Sequence, residues 1–413
     1  MTTPRIAIVD LLFCWPPNGG ADVDVYHLAL GLTRAGRPVR LFVPHFTGLL
    51  GRGCISSIDP NIDIQQITIE AASQRETVVG ALRDAVDAWR PDVVVLAHGY
   101  GLKPFVALAL AHYPLIGRFY AHELLCARDA FRFKDNEPCP YNYINNPDHC
   151  RQCALASLGP EIRSGRNQAW TQEYLLAEAY RASYHETVVK ALNTMKRIVV
   201  YNSQLRATLP AYQDKTVVIP GGVAPEEDFD ALPPGKFGPE GKKIILMPGR
   251  VEDPAKGLPL LLEAAAKLFA HRQDFHILAT HFDPMWHGPF YSSTGWLPHE
   301  EARRLYQQAD ICVIPSLWQE PFGLVAVEAM MAGAAVCAAD CGGLHDSVVA
   351  ERTGLLFKRG DAADLARCLE RLLDDDALRA RMGAAGHERA MTHYTWSTIV
   401  DKHYLPLIES VLL

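Results

Sequence analysis

Short apolar runs alternate along the chain with longer segments whose apolar residues recur at helical spacing. This alternation is typical of parallel β-sheets with crossover helices. In the first half, the predicted strands are Arg5 to Leu12, Pro38 to Val43, Asp92 to Ala97, Leu115 to Tyr120, Arg197 to Tyr201 and Thr216 to Ile219. In the second half they are Lys243 to Met247, Phe275 to Ala279, Ile311 to Ile314 and Ala334 to Ala338. The pattern predicts two doubly wound α/β units.

A stretch rich in Gly and Pro, Gly221 to Pro225 followed by Leu232 to Gly241, separates the two halves and is typical of a linker. We therefore predict a first domain over residues 1–220 and a second over residues 221–394. An irregular insertion over about residues 123–165 interrupts the first domain and is followed by a predicted helix from about Ala169 to Lys196. The tail over residues 395–413 has helical spacing, although periodicity does not show where it packs.

Composition narrows the class of protein. The chain has 413 residues, of which 49% are hydrophobic and 21% charged, as in a soluble globular enzyme of two domains. A net charge of -7 argues against nucleic acid or an anionic membrane as the main partner. No apolar run reaches membrane-spanning length, and the first residues lead directly into a strand rather than a signal peptide. We expect a cytoplasmic protein whose oligomeric state the sequence leaves open.

The most informative segment runs from the strand Ile311 to Ile314, through a turn containing Pro321 and Gly323, into a helix over Leu324 to Met331. Backbone N–H groups at such a helix start attract phosphate. Glu320 and Glu328 flank this junction, and ionised carboxylates accept hydrogen bonds from vicinal diols such as those of ribose and sugars. Surface glutamates at a helix start are the alternative. That alternative suits Glu320 better than Glu328, which lies on an almost wholly apolar helix where an unpaired charge is costly.

This segment resembles the signature of the retaining family-four glycosyltransferases of GT-B architecture, in which two glutamates are separated by seven residues around a Pro-Phe-Gly turn. Further matches are Gly249-Arg250 with Lys256-Gly257, the segment Gly295 to Asp310, and Gly333 to Gly343. The second half of the chain matches closely and the first half only in outline. The resemblance implies two Rossmann-like domains with an interdomain cleft for the donor and a last helix that returns to the first domain.

The resemblance also implies roles for individual residues. Arg250 and Lys256 would hold the donor diphosphate, with help from the backbone of Gly323 and Leu324. Glu328 would fix the ribose and Glu320 the sugar hydroxyls. For Arg250 and Lys256, the alternative is a solvated loop beside acidic neighbours.

Four more donor-site candidates come from other segments. His122 would contact the donor sugar, although a single histidine after a strand is more often structural. Trp296 or its neighbours could bound the nucleotide base. Gly19 and Gly20 permit close approach of a phosphate or acceptor, or serve only as a turn.

The first half departs from the family pattern and contains two weaker site candidates. Asp22 stands where the family often has glutamate, and Gly36-Arg37-Pro38 where Gly-His is usual, so acceptor handling is not transferred. His98 also follows a strand and has a weaker claim to a role. Asp22-Val23-Asp24 imitates an Asp-x-Asp metal site, but it lies at a helix start, where acidic residues are favoured anyway.

Four cysteines cluster in the insertion: Cys126, Cys139, Cys150 and Cys153. Cys150 and Cys153 have the spacing of a metal knuckle, and an irregular segment of this length is unusual unless something orders it. Structural zinc, free thiols and a redox pair are the three alternatives. Catalysis itself needs no metal if Arg250 and Lys256 carry the diphosphate.

Together with the resemblance, the sequence predicts a glycosyltransferase, most simply a hexosyltransferase, acting on a nucleoside diphosphate sugar and an unknown acceptor hydroxyl. Retention of anomeric configuration is what the resemblance implies. The rivals are a non-catalytic nucleotide-sugar sensor or partner protein on the same fold, and a metal-binding interaction module that uses the cysteines. A Rossmann dehydrogenase is disfavoured because no Gly-x-Gly-x-x-Gly follows the first strand.

Overall fold

The computed structural model describes residues 3–47, 53–70, 73–165, 167–224, 237–295, 297 and 299–413, without the side chains of residues 299 and 300. The chain forms two compact units. Unit 1 comprises Met1–Arg132, Pro140–Pro220 and Trp396–Leu413, and unit 2 comprises Phe133–Cys139 and Gly221–Thr395. The second segment of unit 1 ends at Pro220, and the main segment of unit 2 begins at Gly221. Residues 133–139 of the predicted first-domain insertion belong to unit 2.

The strands of both units are given in chain order. They are β1 (Ile6–Val9), β2 (Val39–Thr47), β3 (Ile64–Glu70), β4 (Val93–Leu96), β5 (Leu115–Arg118), β6 (Phe133–Lys134), β7 (Glu137–Pro138), β8 (Arg197–Val200), β9 (Thr216–Val218), β10 (Lys243–Met247), β11 (Phe275–Ala279), β12 (His287–Gly288), β13 (Tyr291–Ser293), β14 (Ile311–Ile314), β15 (Ala335–Ala339) and β16 (Gly354–Phe357).

The α-helices follow the same numbering. They are α1 (Gly20–Arg34), α2 (Arg75–Trp89), α3 (Lys103–Ala109), α4 (Pro147–Ser164), α5 (Ala169–Leu176), α6 (Ser183–Thr194), α7 (Ser203–Ala207), α8 (Leu258–Phe269), α9 (His299–Gln308), α10 (Leu324–Met331), α11 (Gly342–Ser347), α12 (Ala362–Asp374), α13 (Asp376–His393), α14 (Trp396–Ile399) and α15 (Leu405–Leu412). None of the described helices is long and apolar enough to cross a membrane.

Each unit is built on a doubly wound sheet, which is parallel except for the edge strand β12 of unit 2, which pairs antiparallel with β13. The strand order is β3-β2-β1-β4-β5-β8-β9 in unit 1 and β12-β13-β11-β10-β14-β15-β16 in unit 2. Strand order therefore reverses between β1 and β4, and again between β10 and β14. Ligands of such sheets bind outside the carboxyl ends of the strands at this reversal, so each unit has one place where a site is expected.

The central strands were predicted correctly because they are apolar on both faces. β1, β4, β11 and β14 are buried throughout, as expected where helices cover both sides of a parallel sheet. The edge strand β3 was missed because its sequence Ile-Gln-Gln-Ile-Thr-Ile-Glu is largely polar, and most of its residues stay partly exposed. An edge strand needs no second apolar face.

Two predictions about the insertion are wrong. Residues 147–164, predicted to be irregular, form the helix α4, which starts with Pro147 in its first turn and ends at Gly165 in the left-handed conformation. The single helix predicted from about Ala169 to Lys196 is two helices, α5 and α6. Between them Glu178 has a φ of 52°, which no α-helix accommodates.

The last eighteen residues pack in unit 1, which periodicity alone could not show. Tyr404 is fully buried, and the Trp396 ring stacks on His27 with centroids 5.4 Å apart. Arg37 pairs with Glu409 at 2.9 Å. The chain thus leaves unit 1 at residue 220 and re-enters it at residue 396.

Candidate functional site

The strand reversal of unit 2 brings two loops together. One loop follows β10 and carries Arg250 and Lys256, and the other follows β14 and carries Glu320. Leu317 N–H donates to the Ala255 carbonyl at 2.8 Å, which joins the loops directly. The approach is so close that a Cβ on Gly257, whose φ is 80°, would lie 2.0 Å from the Pro315 carbonyl oxygen. Glycine is therefore required at the end of the first loop.

Lys256 and Glu320 form the centre of this site. Lys256 Nζ lies 2.7 Å from Glu320 Oε1, which also accepts a 2.7 Å hydrogen bond from Ser316 Oγ. Glu320 is only 4% exposed. Burial by itself would raise the pKa of Glu320, but the Lys256 charge and the hydrogen bonds from Lys256, Ser316 and Trp318 outweigh it and lower that pKa below its ordinary value. The site therefore holds a buried, ionised carboxylate beside an ammonium.

The turn that carries Glu320 is fixed by backbone contacts. Gly343 N–H donates to the Glu320 carbonyl at 2.7 Å, and Gly342 N–H donates to Gln319 Oε1 at 2.8 Å. On the other side, Arg359 Nη1 donates to the Leu317 carbonyl at 2.8 Å. These bonds hold the carboxylate in one place without help from a ligand.

Helix α10 begins directly after this turn. Gly323 precedes it with a φ of 82°, and a Cβ there would lie 2.4 Å from Leu344 Cδ2. The first N–H groups of a helix have no intrahelical acceptor, so the backbone at Gly323 and Leu324 presents donors at the same edge of the sheet as Lys256.

Glu328 lies one helical turn further on and has a partner that the sequence did not indicate. Tyr306 OH, on α9, donates to Glu328 Oε2 at 2.7 Å. Burial and the neighbouring carboxylate raise the pKa of Tyr306 well above its usual value, so the phenol remains a donor. Glu328 is half-buried, whereas Glu320 is buried. This reverses the expectation that Glu320 better fits an ordinary surface glutamate.

The loop after β10 is not simply a solvated ion-pair loop. Asp253 accepts from Ala255 N–H at 3.0 Å and caps the short turn Pro254–Lys256. Glu252 pairs with His281 at 3.5 Å. Since Asp253 and Glu252 already have these partners, Lys256 pairs with Glu320 on the other loop. Arg250 is exposed at the same end of β10.

The strand reversal of unit 1 collects two other candidates, Gly19 and His98. The buried Asp10 accepts from His98 N–H at 3.0 Å and from Leu12 N–H at 2.9 Å, joining the ends of β1 and β4. Asp22 accepts from the N–H groups of Asn18 and Gly19 at 2.9 and 3.2 Å. Gly20 is the first residue of α1. The Gly19 amide therefore serves the folding of its own loop.

Asp24, the second aspartate of the Asp-x-Asp sequence, has an internal role. It lies 3.2 Å from the fully buried Arg118 and accepts from Tyr201 OH at 2.9 Å. Its contacts with a buried guanidinium and a phenol give this carboxylate a structural role.

His122 is buried at the start of a tight turn. The backbone N–H of His122 donates to the Ala130 carbonyl at 3.1 Å. The backbone carbonyl of His122 accepts from the N–H groups of Leu125 and Cys126 at 2.8 and 2.9 Å. These contacts fix the backbone of His122, while its contact with a donor sugar stays a prediction. Trp296 lies outside the described residues.

The metal role of the four insertion cysteines stays a prediction. Cys150 and Cys153 lie on helix α4 rather than in a knuckle. Among the described residues, no group of three or more His, Cys, Asp or Glu is arranged to hold a metal. In the metal-free protein, burial raises the pKa of the Cys126 thiol to about 12.

Sequence reasoning missed Ser316, Tyr306 and Arg359. Ser316 is the only one with a local signal, since it stands four residues before Glu320. Tyr306 and Arg359 come from other segments of unit 2 and reach the site only through folding.

Comparison with known proteins shows similarity to glycosyltransferases over part of the chain. Residues 242–375 match the family described as Glycosyl transferases group 1. The phosphatidyl-myo-inositol mannosyltransferase of Mycolicibacterium smegmatis is 32% identical over 239 residues, which covers 55% of this chain and 59% of that protein. The chain spans from about a quarter to three fifths of the length of the curated relatives it matches first.

Solved structures match over nearly the whole chain. A sucrose-phosphate synthase of Thermosynechococcus elongatus is 22% identical with a TM-score of 0.66, covering 98% of this chain and 100% of that one. HepE of Anabaena, in complex with UDP and glucose, is 16% identical with a TM-score of 0.64 and the same coverage. At these identities the likeness concerns the fold, and it confirms the predicted fold class of two Rossmann-like units of the GT-B type.

Proposed function

We propose that this chain transfers a hexose from a nucleoside diphosphate sugar to an acceptor hydroxyl with retention of anomeric configuration. The match of residues 242–375 to the group 1 glycosyl transferases supports this proposal. The observation that carries the proposal is the Lys256–Glu320 pair, at the strand reversal where a doubly wound unit binds its ligand.

The cationic part of the site suits a leaving diphosphate. Lys256 keeps 22% of its side chain exposed, and Arg250 is exposed on the same loop. The N–H groups at the start of α10 add a favourable dipole for phosphate. Charge that builds on the leaving oxygen is stabilised by such fixed donors, and loss of one typically costs about 2.7–4 kcal/mol of transition-state stabilisation.

The two glutamates suit the hydroxyl-rich ends of the donor. Glu320 would accept from sugar hydroxyls while Lys256 and Ser316 keep it ionised and in place. Glu328 would accept from the ribose diol, with Tyr306 orienting it. As the resemblance implies, His122 would contact the sugar of the donor. Gly19 and Gly20 would let the backbone approach a phosphate or the acceptor closely, although the Gly19 N–H already donates to Asp22.

The proposed chemistry requires no metal, because Arg250 and Lys256 supply the positive charge. In a retaining reaction on one face of the sugar, an oxygen of the departing phosphate takes the acceptor proton. Lys256 stabilises the charge that remains on that phosphate. A cytoplasmic location stays a prediction from the composition.

A thermal-shift screen against UDP, GDP, ADP and their hexose conjugates tests the binding step. A ligand that binds only the native protein stabilises it by about 2.7 kcal/mol at a concentration of one hundred times Kd. We expect one nucleotide series to raise Tm, and Lys256→Ala to lose most of that rise. Lys267→Ala is the matched control, because Lys267 pairs with Glu263 on an exposed face of α8. Equal shifts in both variants would exclude the diphosphate role of Lys256.

Turnover separates the enzyme from a non-catalytic nucleotide-sugar sensor. An enzyme hydrolyses or transfers the sugar of the donor that the screen identifies, whereas a sensor only binds it. Metal analysis of protein purified without chelator addresses the zinc alternative separately, since near-stoichiometric zinc is expected only if the cysteines gather around it.

A further inference from the structure

Unit 1 contains a cavity of about 40 Å³ beside the carboxyl ends of β4 and β5. Residues 99–101 after β4 and Phe119 after β5 form one side, and helices α3, α5 and α6 close the others. Aromatic side chains dominate the lining: Tyr100, Phe119, Tyr143, Trp170, Tyr174 and Tyr184. The volume has room for about three water-sized groups. Tyr100, Trp170 and Ala127 are half-buried, so the cavity reaches the surface at these residues.

Buried polar groups fix the cavity wall. Glu173 is fully buried, and its Oε2 accepts from the N–H groups of Tyr100 and Leu102 at 2.8 and 3.1 Å. Tyr184 OH donates to the Gly101 carbonyl at 2.9 Å. A Cβ on Gly101 would lie 2.7 Å from the Glu173 carbonyl oxygen, so this turn is packed directly on α5. The cavity is therefore a defined feature of the fold rather than a gap under a loose loop.

The charged groups of the lining are already paired. Lys103 Nζ donates to the Arg118 carbonyl, lies 3.9 Å from Glu123 and sits 3.8 Å above the Phe119 ring. Glu123 also accepts from the N–H groups of Tyr120 and Ala121, both at 2.7 Å. A ligand in this cavity meets no uncompensated charge from either residue, which favours a neutral one.

One polar group of the lining is unsatisfied. Tyr174 is 2% exposed, and its hydroxyl has no hydrogen-bond partner among the described residues. A buried hydroxyl without a partner is unfavourable, and native proteins rarely retain one without a ligand or water to satisfy it. Burial raises the pKa of Tyr174 to about 12, so the hydroxyl keeps its proton and can donate.

We propose that this cavity is a binding site for a neutral group of about three or four non-hydrogen atoms, with an apolar alkyl body and one oxygen that accepts a hydrogen bond from Tyr174. The aromatic side chains of the lining contact the apolar body of the ligand. The Tyr174 hydroxyl favours ligands with an oxygen that accepts its hydrogen bond. The proposal concerns unit 1 alone and does not depend on the nucleotide-sugar function.

Ligand-observed fluorine NMR with 2-fluoroethanol and 1-fluoropropane tests the proposal on the 413-residue chain without nucleotide. The two probes share their size, and a hydroxyl in the first replaces a methyl group in the second. Wild-type protein is expected to bind 2-fluoroethanol the more tightly. Tyr174→Phe should weaken 2-fluoroethanol by about threefold or more while changing 1-fluoropropane little, because a single hydrogen bond is lost.

Two further variants make the result decisive. Ala127→Leu should weaken both probes, because it fills the half-buried mouth of the cavity. Tyr180→Phe should change neither, because the Tyr180 hydroxyl bonds Glu178 and does not line the cavity. Probe binding that Ala127→Leu does not reduce would overturn the site, as would a preference for 2-fluoroethanol that survives in Tyr174→Phe, or no binding of either probe to wild-type protein. Nucleotide-induced melting shifts, measured in parallel, report separately on the donor function.

Discussion

The two signature glutamates were recognised from their spacing in the sequence, but the environment of each side chain became clear only in the structure. Both were expected to bind diols because ionised carboxylates accept hydrogen bonds, and their spacing was readable in the sequence. Their environments were not readable. Glu320 is buried against Lys256 and Ser316, whereas Glu328 is half-buried beside Tyr306. The chain supplies each carboxylate with its own donor, which allows charge to persist in a largely apolar setting.

The Glu320 carboxylate gives a prediction about pH at this scale. Its pKa is lowered from the ordinary value of 4.5 in the folded protein. A carboxyl group with a lowered folded pKa contributes stability that is fully present above the unfolded pKa and is lost as pH falls through the folded pKa. Wild-type protein should therefore exceed Glu320→Gln in unfolding free energy at pH 7, by about 1–3 kcal/mol. The gap should shrink as pH is lowered below 4.5.

Urea denaturation of both proteins across this pH range measures the gap. Glu263→Gln is the control, because Glu263 and Lys267 form an exposed pair of the kind worth little in water. A difference between wild type and Glu320→Gln that stays constant down to the lowest pH would show that ionisation of Glu320 contributes nothing to stability.

At the scale of elements, the donor-side loops are positioned by close backbone contact. The loop after β10 ends at Gly257 against the Pro315 carbonyl, and the turn before α10 packs on the start of α11 through Gly342 and Gly343. These approaches leave no room for side chains. The glycines were visible in the sequence, but the surfaces that they touch come from segments far along the chain.

Gly257→Ala tests this packing. The variant has to adopt a φ of 80° and also places a Cβ 2.0 Å from a backbone oxygen that has little freedom to move. Gly333→Ala is a matched control with a φ of 78° and nothing within 4 Å of the new Cβ. We expect Gly333→Ala to cost about 1–2 kcal/mol from the backbone conformation alone, and Gly257→Ala to cost about 1–3 kcal/mol more.

Chemical denaturation followed by circular dichroism compares the two variants. Gly257→Ala should also reduce the nucleotide-induced melting shift, since Lys256 is the adjacent residue. Equal destabilisation by both variants would mean that the contact with Pro315 does not constrain the loop.

On the scale of the whole molecule, unit 1 is completed by the end of the chain. The segment from residue 396 onward lies with α1 and β5, and Tyr404 is fully buried close to Arg118 and Asp24. A Cβ on Gly31 would lie 2.7 Å from Val400 Cγ2, so α1 has glycine where the returning chain crosses it. Unit 1 therefore depends on residues that follow unit 2 in the sequence.

Tyr404→Ala should destabilise unit 1 by about 3–5 kcal/mol, as expected when a buried aromatic side chain is removed from a core. Tyr404→Phe should cost little, because the Tyr404 hydroxyl has no hydrogen-bond partner among the described residues. Leu413→Ala is the control, since Leu413 is fully exposed at the chain end. Urea denaturation measures all three variants. A small effect of Tyr404→Ala would show that the returning segment is dispensable for unit 1.

The sequence by itself determined the doubly wound architecture and the segment around the two glutamates. These features depend on local periodicity and on glycine and proline punctuation, both of which act over a few residues. Sequence-based prediction failed for β3, because an edge strand can have a polar sequence. It also failed for α4, which begins at Pro147 and ends before Gly165 in a segment that lacks apolar spacing. Only the tertiary structure decided the partners of Glu320 and Glu328, the placement of the insertion cysteines and the cavity beside Tyr174. Each of these features brings together segments that are distant in the chain. Hydrogen-bond distances and burial depend on how those segments pack, and no single segment determines them.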